Sequence, residues 1–394
     1  MNSRISDPDV QRFIKEHLHD DPGQLALKGI GLKGVSDREV LQQITAKQKA
    51  LDKLPLWART EGIIYPEKIS VEQTSSEQTA RYKSQLLPYE QVIDLTGGFG
   101  IDSYFFSLLA KKVIHCEINT ELSKIARHNF QKLGATNIEC HTGDGLEFLK
   151  INNRIFDLIY ADPARRDRSK KKVFMLEDCL PDIAATLPGL FDHGEAVMVK
   201  TSPLLDLQAG IESFRFVNSI HIISLKNEVK ELLWILKKDA GTDPLVHAMN
   251  IHNEQTDPLT FRLSEEAQST ANFSAPLKYL YEPNAAVMKS GCFTLLTHKF
   301  DCYKLHSHTH LYTSSKPVEF PGRSFLIERI LPYNKKLLKK DAELQKANIT
   351  IRNFPDTVNQ IRKKTGIKEG GEKYLFFCTD LQGKKIVIVC SKYP

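Results

Sequence analysis

The stretch VIDLTGGFGIDS at 92–103 is the strongest chemical signal in the chain. An apolar run ends in an acid, Asp94, passes Thr96, Gly97, Gly98 and Gly100, and enters a predicted helix near Ile101 that carries Asp102. Glycines there let the backbone turn sharply and approach a ligand that a Cβ would hold off, and a helix start offers unpaired amides. Three more acids follow at corresponding places. Glu117 closes a second apolar run, where a carboxylate can bond the two ribose hydroxyls of an adenosine. Asp144 in HTGDGLEF follows a third run, placed to meet an adenine edge, and Asp162-Pro163 ends a fourth. Each acid alone also fits a helix N-cap or a solvated loop. Four of them at the carboxyl ends of four consecutive strands indicate a shared cleft, because ligands of open α/β sheets bind along that edge.

The elements that must position these residues are legible in the hydrophobic pattern. Residues 1 to about 80 read as helical: Ser36 and Glu39 form a capping box, and Val40, Leu41, Ile44, Leu51 and Leu54 recur at helical spacing. From 91 onward, short β-branched runs alternate with amphipathic segments, the mark of a parallel sheet with crossover helices. Strands are predicted at 92–95, 113–118, 138–141, 156–161, 196–200, 220–225 and 232–236. The last two are separated only by KNEVKE, which permits a hairpin and no crossover. Residues 240–275 are polar and turn-rich and read as an irregular connection with a strand or two. Beyond them, 278–288 and 292–299 suggest a small mixed unit. The end of the chain reads as helix 335–345, strand 348–352, helix 357–364, and strands 374–378 and 385–390.

Composition narrows the class. The 394 residues are 41% hydrophobic and 26% charged, a globular balance that excludes collagenous and disordered chains. No run approaches about 18 apolar residues, so no membrane helix is expected. The start, MNSRISDPDVQRF, lacks a signal-peptide core, so a cytoplasmic protein is expected. Seven cysteines without a CxxC pair argue against a disulfide framework or zinc ribbon. The net charge of +6 is unevenly spread: residues 321–394 hold 16 Lys and Arg against 7 Asp and Glu, and the rest of the chain 38 against 41. A basic module facing a polyanion would explain this asymmetry, as would a lysine-rich soluble surface.

Taken together, DLTGGFGID, the strand-ending Glu117, GDG at 143–145 and ADPAR at 161–165 resemble the motifs of class I S-adenosylmethionine-dependent methyltransferases. The resemblance spans about residues 75–240 and implies a Rossmann-like seven-stranded sheet. It also implies a cofactor site formed by Thr79, Asp94, Thr96, Gly97, Gly98, Gly100, Asp102, Glu117, Asn119, Asp144 and Gly145. The dinucleotide fingerprint GxGxxG is broken, since position 103 is Ser. SSEQTARYKS at 75–84 is similar to the segment that lies over the methionine part of the cofactor in nucleic-acid methyltransferases, which brings in Ser76, Gln78 and Thr79, with Arg81 nearby. A helix start capped by Ser75 or Ser76 accounts for the same residues.

In amine-directed members of that family, a D/N-P-P-Y/F tetrapeptide orients the acceptor amine. Here Asp162 and Pro163 fit, and Ala164 and Arg165 replace the second proline and the aromatic. The resemblance makes Asp162, Pro163, Arg165 and Arg166 the catalytic candidates, a guanidinium plane being able to stack on a base. The run RRDRSKKK at 165–172, with six positive charges, lies directly beside the expected active site and is suited either to phosphate contact or to a solvated loop. The C-terminal stretch, with ANITIRNF, IRKKTGIKEGGEKYLFF and KKIVIVC, resembles a THUMP-like domain, and LYEPNAAVMKSGCF at 280–293 resembles the small ferredoxin-like unit preceding it. THUMP domains deliver RNA to modifying enzymes, so the resemblance implies RNA binding. Its candidate phosphate contacts are Lys335, Lys336, Lys339, Lys340, Arg352, Arg362, Lys363 and Lys364.

The expected organisation is therefore a helical region at 1–75, a methyltransferase domain at 76–240, a connector with a small ferredoxin-like domain at 241–320, and a THUMP-like domain at 321–394. The expected activity is methyl transfer from S-adenosylmethionine to a base of tRNA or rRNA. Two alternatives remain: a small-molecule or protein methyltransferase, and a catalytically silent RNA-binding protein. His306, His308 and His310 would share one face of a strand at metal-ligand spacing, but no partner completes a site and no metal is expected. Cys179 falls in a predicted helix, away from an active-site proline, and reads as a core residue.

Overall fold

The computed structural model describes residues 2–66, 68–165, 176, 179–252, 255–256 and 258–393. The chain divides into two units, Met1–Ser219 with Glu231–Thr242, and Ile220–Lys230 with Asp243–Pro394.

In the first unit the helix Asp37–Lys53 starts where expected: Ser36 and Glu39 make the reciprocal bonds of a capping box. Its face with Val40 and Ile44 packs on Val10, Ile14 and Leu25 as one cluster, against which Ile125 also packs. A second cluster is shared with the sheet. Ala46, Ala50, Leu54 and Trp57 pack with Phe99, Ile101, Tyr104, Phe105, Ala126 and Phe130. Trp57 meets the Tyr104 ring edge-on at 4.9 Å. Leu51, which fits the helical period, is exposed. The helical region thus forms part of the wall that supports the glycine loop.

The strands Gln91–Asp94, Lys112–Glu117, Ile138–Thr142, Phe156–Ala161 and Gly194–Thr201 lie in the order third, second, first, fourth, fifth. All four of these pairings are parallel. Glu228–Leu236 then pairs antiparallel with the fifth strand, Val197 opposite Leu236. The preceding strand, Val217–Leu225, is joined to it through Lys226 and Asn227, both at positive φ. A two-residue turn of that kind matches the twist of a hairpin. Both strands are longer than predicted: the first begins three residues earlier, at Val217, and the last four residues of KNEVKE belong to the second. This is the expected Rossmann-like α/β sheet with an antiparallel strand, and it places the first four strand ends on one edge.

The second unit is more regular than its sequence suggested. Residues 245–262 form the antiparallel pair Leu245–His252 and Leu259–Arg262. Val246, Ala248, Met249 and Ile251 are buried while His247 and Asn250 are half-buried, an alternation that shifts phase at Ala248-Met249 and so is masked in the sequence. Gly322–Pro332, absent from the predicted elements, is an eleven-residue strand. It pairs with Tyr279–Pro283 on one side and Lys385–Lys392 on the other. The stretches on either side of residue 321 therefore share one seven-stranded sheet. Leu375 and Phe377 face one cluster with Leu338 and Ile361, and Phe376 and Cys378 face another with Leu280 and Leu311. Among the described residues no helix is long and apolar enough to cross a membrane.

Because Trp57 is fully buried between the N-terminal helices and the helix after the first strand, Trp57→Ala should cost about 3–5 kcal/mol of stability. Urea unfolding followed by far-ultraviolet circular dichroism checks this. A loss below about 1 kcal/mol would show that the helices do not share that core.

Candidate active site

The first strand ends in Asp94, whose carboxylate points into the protein. Oδ1 accepts from the Thr96 amide at 3.0 Å and Oδ2 from the Ser103 hydroxyl at 2.6 Å. Burial, helped by the nearby carboxylates Asp102 and Asp162 and opposed by the Ser103 bond, pushes its pKa up to about 7. Ser103 also lies 2.9 Å from His115 Nδ1. Since the hydroxyl proton goes to Asp94, His115 donates to Ser103. Burial, and then Arg127, lowers the His115 pKa to about 3, so the ring is neutral. That ring lies directly beneath Gly97, where an added Cβ would stand 2.1 Å from it. Gly100 turns the loop at φ 88° into the helix Ile101–Ser107.

The second and third strand ends complete the cleft edge. Glu117 accepts from the Gly98 amide at 2.8 Å and the Asn119 amide at 2.7 Å. Asn119 caps the helix Thr120–Lys132, and Asp144 caps Gly145–Asn152 through Oδ1 alone. Gly145 permits close packing, since a Cβ there would stand 2.8 Å from Leu95 backbone atoms. Ile118, not singled out from the sequence, is 74% exposed between Glu117 and Asn119.

The fourth strand end is tied to the first. The Asp162 amide donates to Thr96 Oγ1 at 2.6 Å, and the Asp162 carboxylate accepts from Lys200. Beneath lies a buried charge cluster. Lys83, fully buried, meets Asp102 at 2.9 Å and Glu231 at 3.0 Å. Ser75 Oγ lies 2.7 Å from Lys83 Nζ, 3.5 Å from Lys200 Nζ and 2.8 Å from Asp102 Oδ2. Tyr160 also donates to Asp102 at 2.9 Å. Burial works against ionised Asp102, but Lys83 and Lys200 outweigh it and hold its pKa below the ordinary value. Burial likewise disfavours the Lys200 ammonium, and Asp162, Glu231 and Asp102 reverse that and raise its pKa. Lys200 therefore carries its charge throughout the neutral range.

The structure brings Asp94, Thr96, Gly97, Gly98, Glu117, Asn119, Asp144, Gly145 and Asp162 to one edge, with Gly100 and Asp102 just behind it. Thr79 departs from its expected place: it is buried and donates to Ser76 O within its own turn. Ser76 is the N-cap of Glu77–Ser84, and Ser75 is the residue that meets the cluster. Cys179 is a second departure. It is buried in a two-residue strand, Cys179–Leu180, opposite Arg165 and followed by Pro181, and not in a helix. Only the backbone of Arg165 is described, and Arg166 and 167–172 lie outside the described residues. Lys200 carried a readable signal, a charge ending an apolar strand, as at Asp94 and Glu117. Lys83 and Glu231 carried none, since each reads as an ordinary surface charge beside its element.

In the second unit, Lys335, Lys336, Lys339 and Lys340 are exposed on the helix Lys335–Lys340, oriented by buried Leu338. Lys363 is exposed on the neighbouring helix Val358–Thr365. Three expected phosphate contacts are otherwise engaged. Arg352 pairs with buried Glu282 at 2.6 Å, Arg362 bonds the Ile367 carbonyl at 3.1 Å, and Lys364 pairs with Asp356 at 2.6 Å. His306 and His310 lie in the strands Tyr303–His306 and Thr309–Ser314 and His308 in the tight turn between them, so the three do not share one strand face. Among the described residues no group of three His, Cys, Asp or Glu has metal-binding placement.

Two family models match the second unit, a ferredoxin-like domain over residues 279–321 and a THUMP domain-like region over 322–392. A crystal structure from Porphyromonas gingivalis W83, of a protein classed as a methyltransferase, matches with TM-score 0.89 and 32% identity, covering 98% of each chain. A protein-L-isoaspartate O-methyltransferase of Koribacter versatilis (strain Ellin345) is 34% identical over 84 residues, which is 21% of this chain and 37% of that enzyme. With a relative matched from end to end and the C-terminal regions matched in order, the chain belongs to the bacterial family of class I methyltransferases that carry a C-terminal THUMP-like domain.

Proposed function

We propose that the protein transfers a methyl group from S-adenosylmethionine to a base of structured RNA, either tRNA or rRNA. The observation that carries this reading is the bond from the Asp162 amide to Thr96, which joins the acceptor loop to the glycine loop. The residues present fit the cofactor. Glu117 and Asp144 keep lone pairs beyond those used by backbone amides and suit ribose hydroxyls and an adenine edge. Exposed Ile118 offers an apolar surface to a flat ring, and a Cβ at Gly98 would find no atom nearer than 3.7 Å, so that approach is open. Asp94, Asp102, Gly97 and Gly100 shape the loop from below. S-adenosylmethionine supplies a methyl carbon already activated by its sulfonium.

The protein's own task is then chiefly geometric. Asp162, 35% exposed, accepts a hydrogen from the acceptor group and holds its nucleophilic atom in line. Pro163 restrains the loop. Arg165 takes the place of the aromatic of the related tetrapeptide, with Arg166 next in sequence, and one or the other takes the base plane or a phosphate. The exposed lysines of 335–340 and 363, within a C-terminal stretch of surplus positive charge, support an RNA backbone as partner.

Incubating the protein with labelled S-adenosylmethionine and RNA from a strain lacking it should label one nucleoside, identified by mass spectrometry. No label in any RNA fraction sinks the proposal. Asp162→Ala should lower labelling by at least about 100-fold while leaving cofactor binding nearly intact, and loss of both would mean that Asp162 serves the cofactor. In a second measurement, tRNA affinity should fall steeply between about 50 and 200 mM salt. Replacing Lys335, Lys336, Lys339 and Lys340 with Ala should flatten that log–log slope by up to about 3. An affinity indifferent to salt would favour a small-molecule or protein acceptor.

A further inference from the structure

Asp162 is held from two sides. Its amide is fixed by Thr96, and its Oδ2 is engaged by Lys200. Lys200 reaches that position from the strand Gly194–Thr201, its side chain only 12% exposed. Behind it stand Ser75 and then Lys83 with Asp102 and Glu231. Two ammonium groups thus serve three carboxylates. Withdrawing one ammonium leaves buried negative charge uncompensated, so Lys200 has no favourable alternative position. An ammonium that keeps its proton is a donor only and cannot take one from an acceptor. Among the described residues Lys200 engages only Oδ2, so Oδ1 is the less engaged Asp162 oxygen for an incoming group.

We propose that Lys200 is the positioning residue of the methyl-acceptor site: it locks the Asp162 carboxylate in a single orientation, leaving Oδ1 to accept an N–H or O–H of the group to be methylated. This rests on the reading of Asp162 as the residue that orients the acceptor. Nothing in the D-P-A-R motif itself specifies such a partner, which comes from a strand 38 residues further along. The fixed carboxylate offsets the missing second proline, because orientation supplied elsewhere by a stiff loop is supplied here by a charged hydrogen bond.

A double-substitution cycle in the full chain tests this, with Lys200→Met and Asp162→Asn read by kcat on RNA and by cofactor Kd from calorimetry. Each single change should lower kcat about 100-fold and leave cofactor Kd within about threefold of the unsubstituted protein. The double variant should be no slower than Asp162→Asn, because the contribution of Lys200 to kcat runs through that carboxylate. Losses that multiply, an unchanged kcat in Lys200→Met, or cofactor affinity lost in step with kcat each overturn the proposal. Lys200→Gln replaces Lys200→Met should the latter not fold. If the unsubstituted protein methylates no RNA, the functional reading fails, and a crystal structure of the Lys200 variant still decides the positioning role. An Asp162 carboxylate turned away from its original rotamer supports that role, and an unmoved one refutes it.

Discussion

Four separate elements each send one charged side chain to a single point beneath the cleft, and one of these, Lys200, reaches up to Asp162 at the cleft edge. Lys83 comes from Glu77–Ser84, Asp102 from Ile101–Ser107, Asp162 from just after Phe156–Ala161, Lys200 from Gly194–Thr201 and Glu231 from Glu228–Leu236. Taking such groups out of water costs several kcal/mol per ion unless geometry and extra hydrogen bonds compensate. Here Ser75 and Tyr160 supply those bonds. The arrangement tolerates little relative movement of the elements, since any gap leaves a buried charge unpaired. A polar cluster of this kind adds little net stability, and its effect is to define one register for the parts that build the site.

Above that layer the acidic edge is less charged than its sequence implies. Asp94 is buried, its pKa pushed up by that burial, and its bonds organise the loop; Glu117 is buried against two backbone amides, and Asp144 and Asp162 carry the exposed or half-exposed acidity. Ser103, the residue that breaks the dinucleotide fingerprint, bridges Asp94 to His115. The loop therefore rests on a hydrogen-bonded floor with a neutral imidazole under Gly97, a setting that suits a cationic ligand better than a diphosphate.

Much of this was legible in advance. The strands of the first sheet were readable because apolar runs of four to eight residues bounded by glycine and acid admit few alternatives. The acids at strand ends were readable for the same reason, and Lys200 obeyed the same rule. What stayed hidden were pairings between distant residues. The strand Gly322–Pro332 has charged residues at Arg323, Glu328 and Arg329, which masked its period, and Arg323 is there to serve buried Glu282. The placement of Cys179 opposite Arg165 depends on a strand pair only two residues long, too short for any periodicity to announce.

By itself, then, the sequence determined the α/β sheet, the order of its strand ends, the glycine loop, the family resemblance and the basic C-terminal stretch. These are local properties, set by side-chain type at a fixed period along the backbone. Tertiary structure alone decided which charges face each other. It buried Lys83, took Arg352, Arg362 and Lys364 out of the expected phosphate-binding set, turned Thr79 inward, and set Lys200 against Asp162. Whether a lysine is a solvated surface group or the partner of an interior carboxylate depends on desolvation and on neighbours brought in from elsewhere in the chain, and neither is a property of its own position in the sequence.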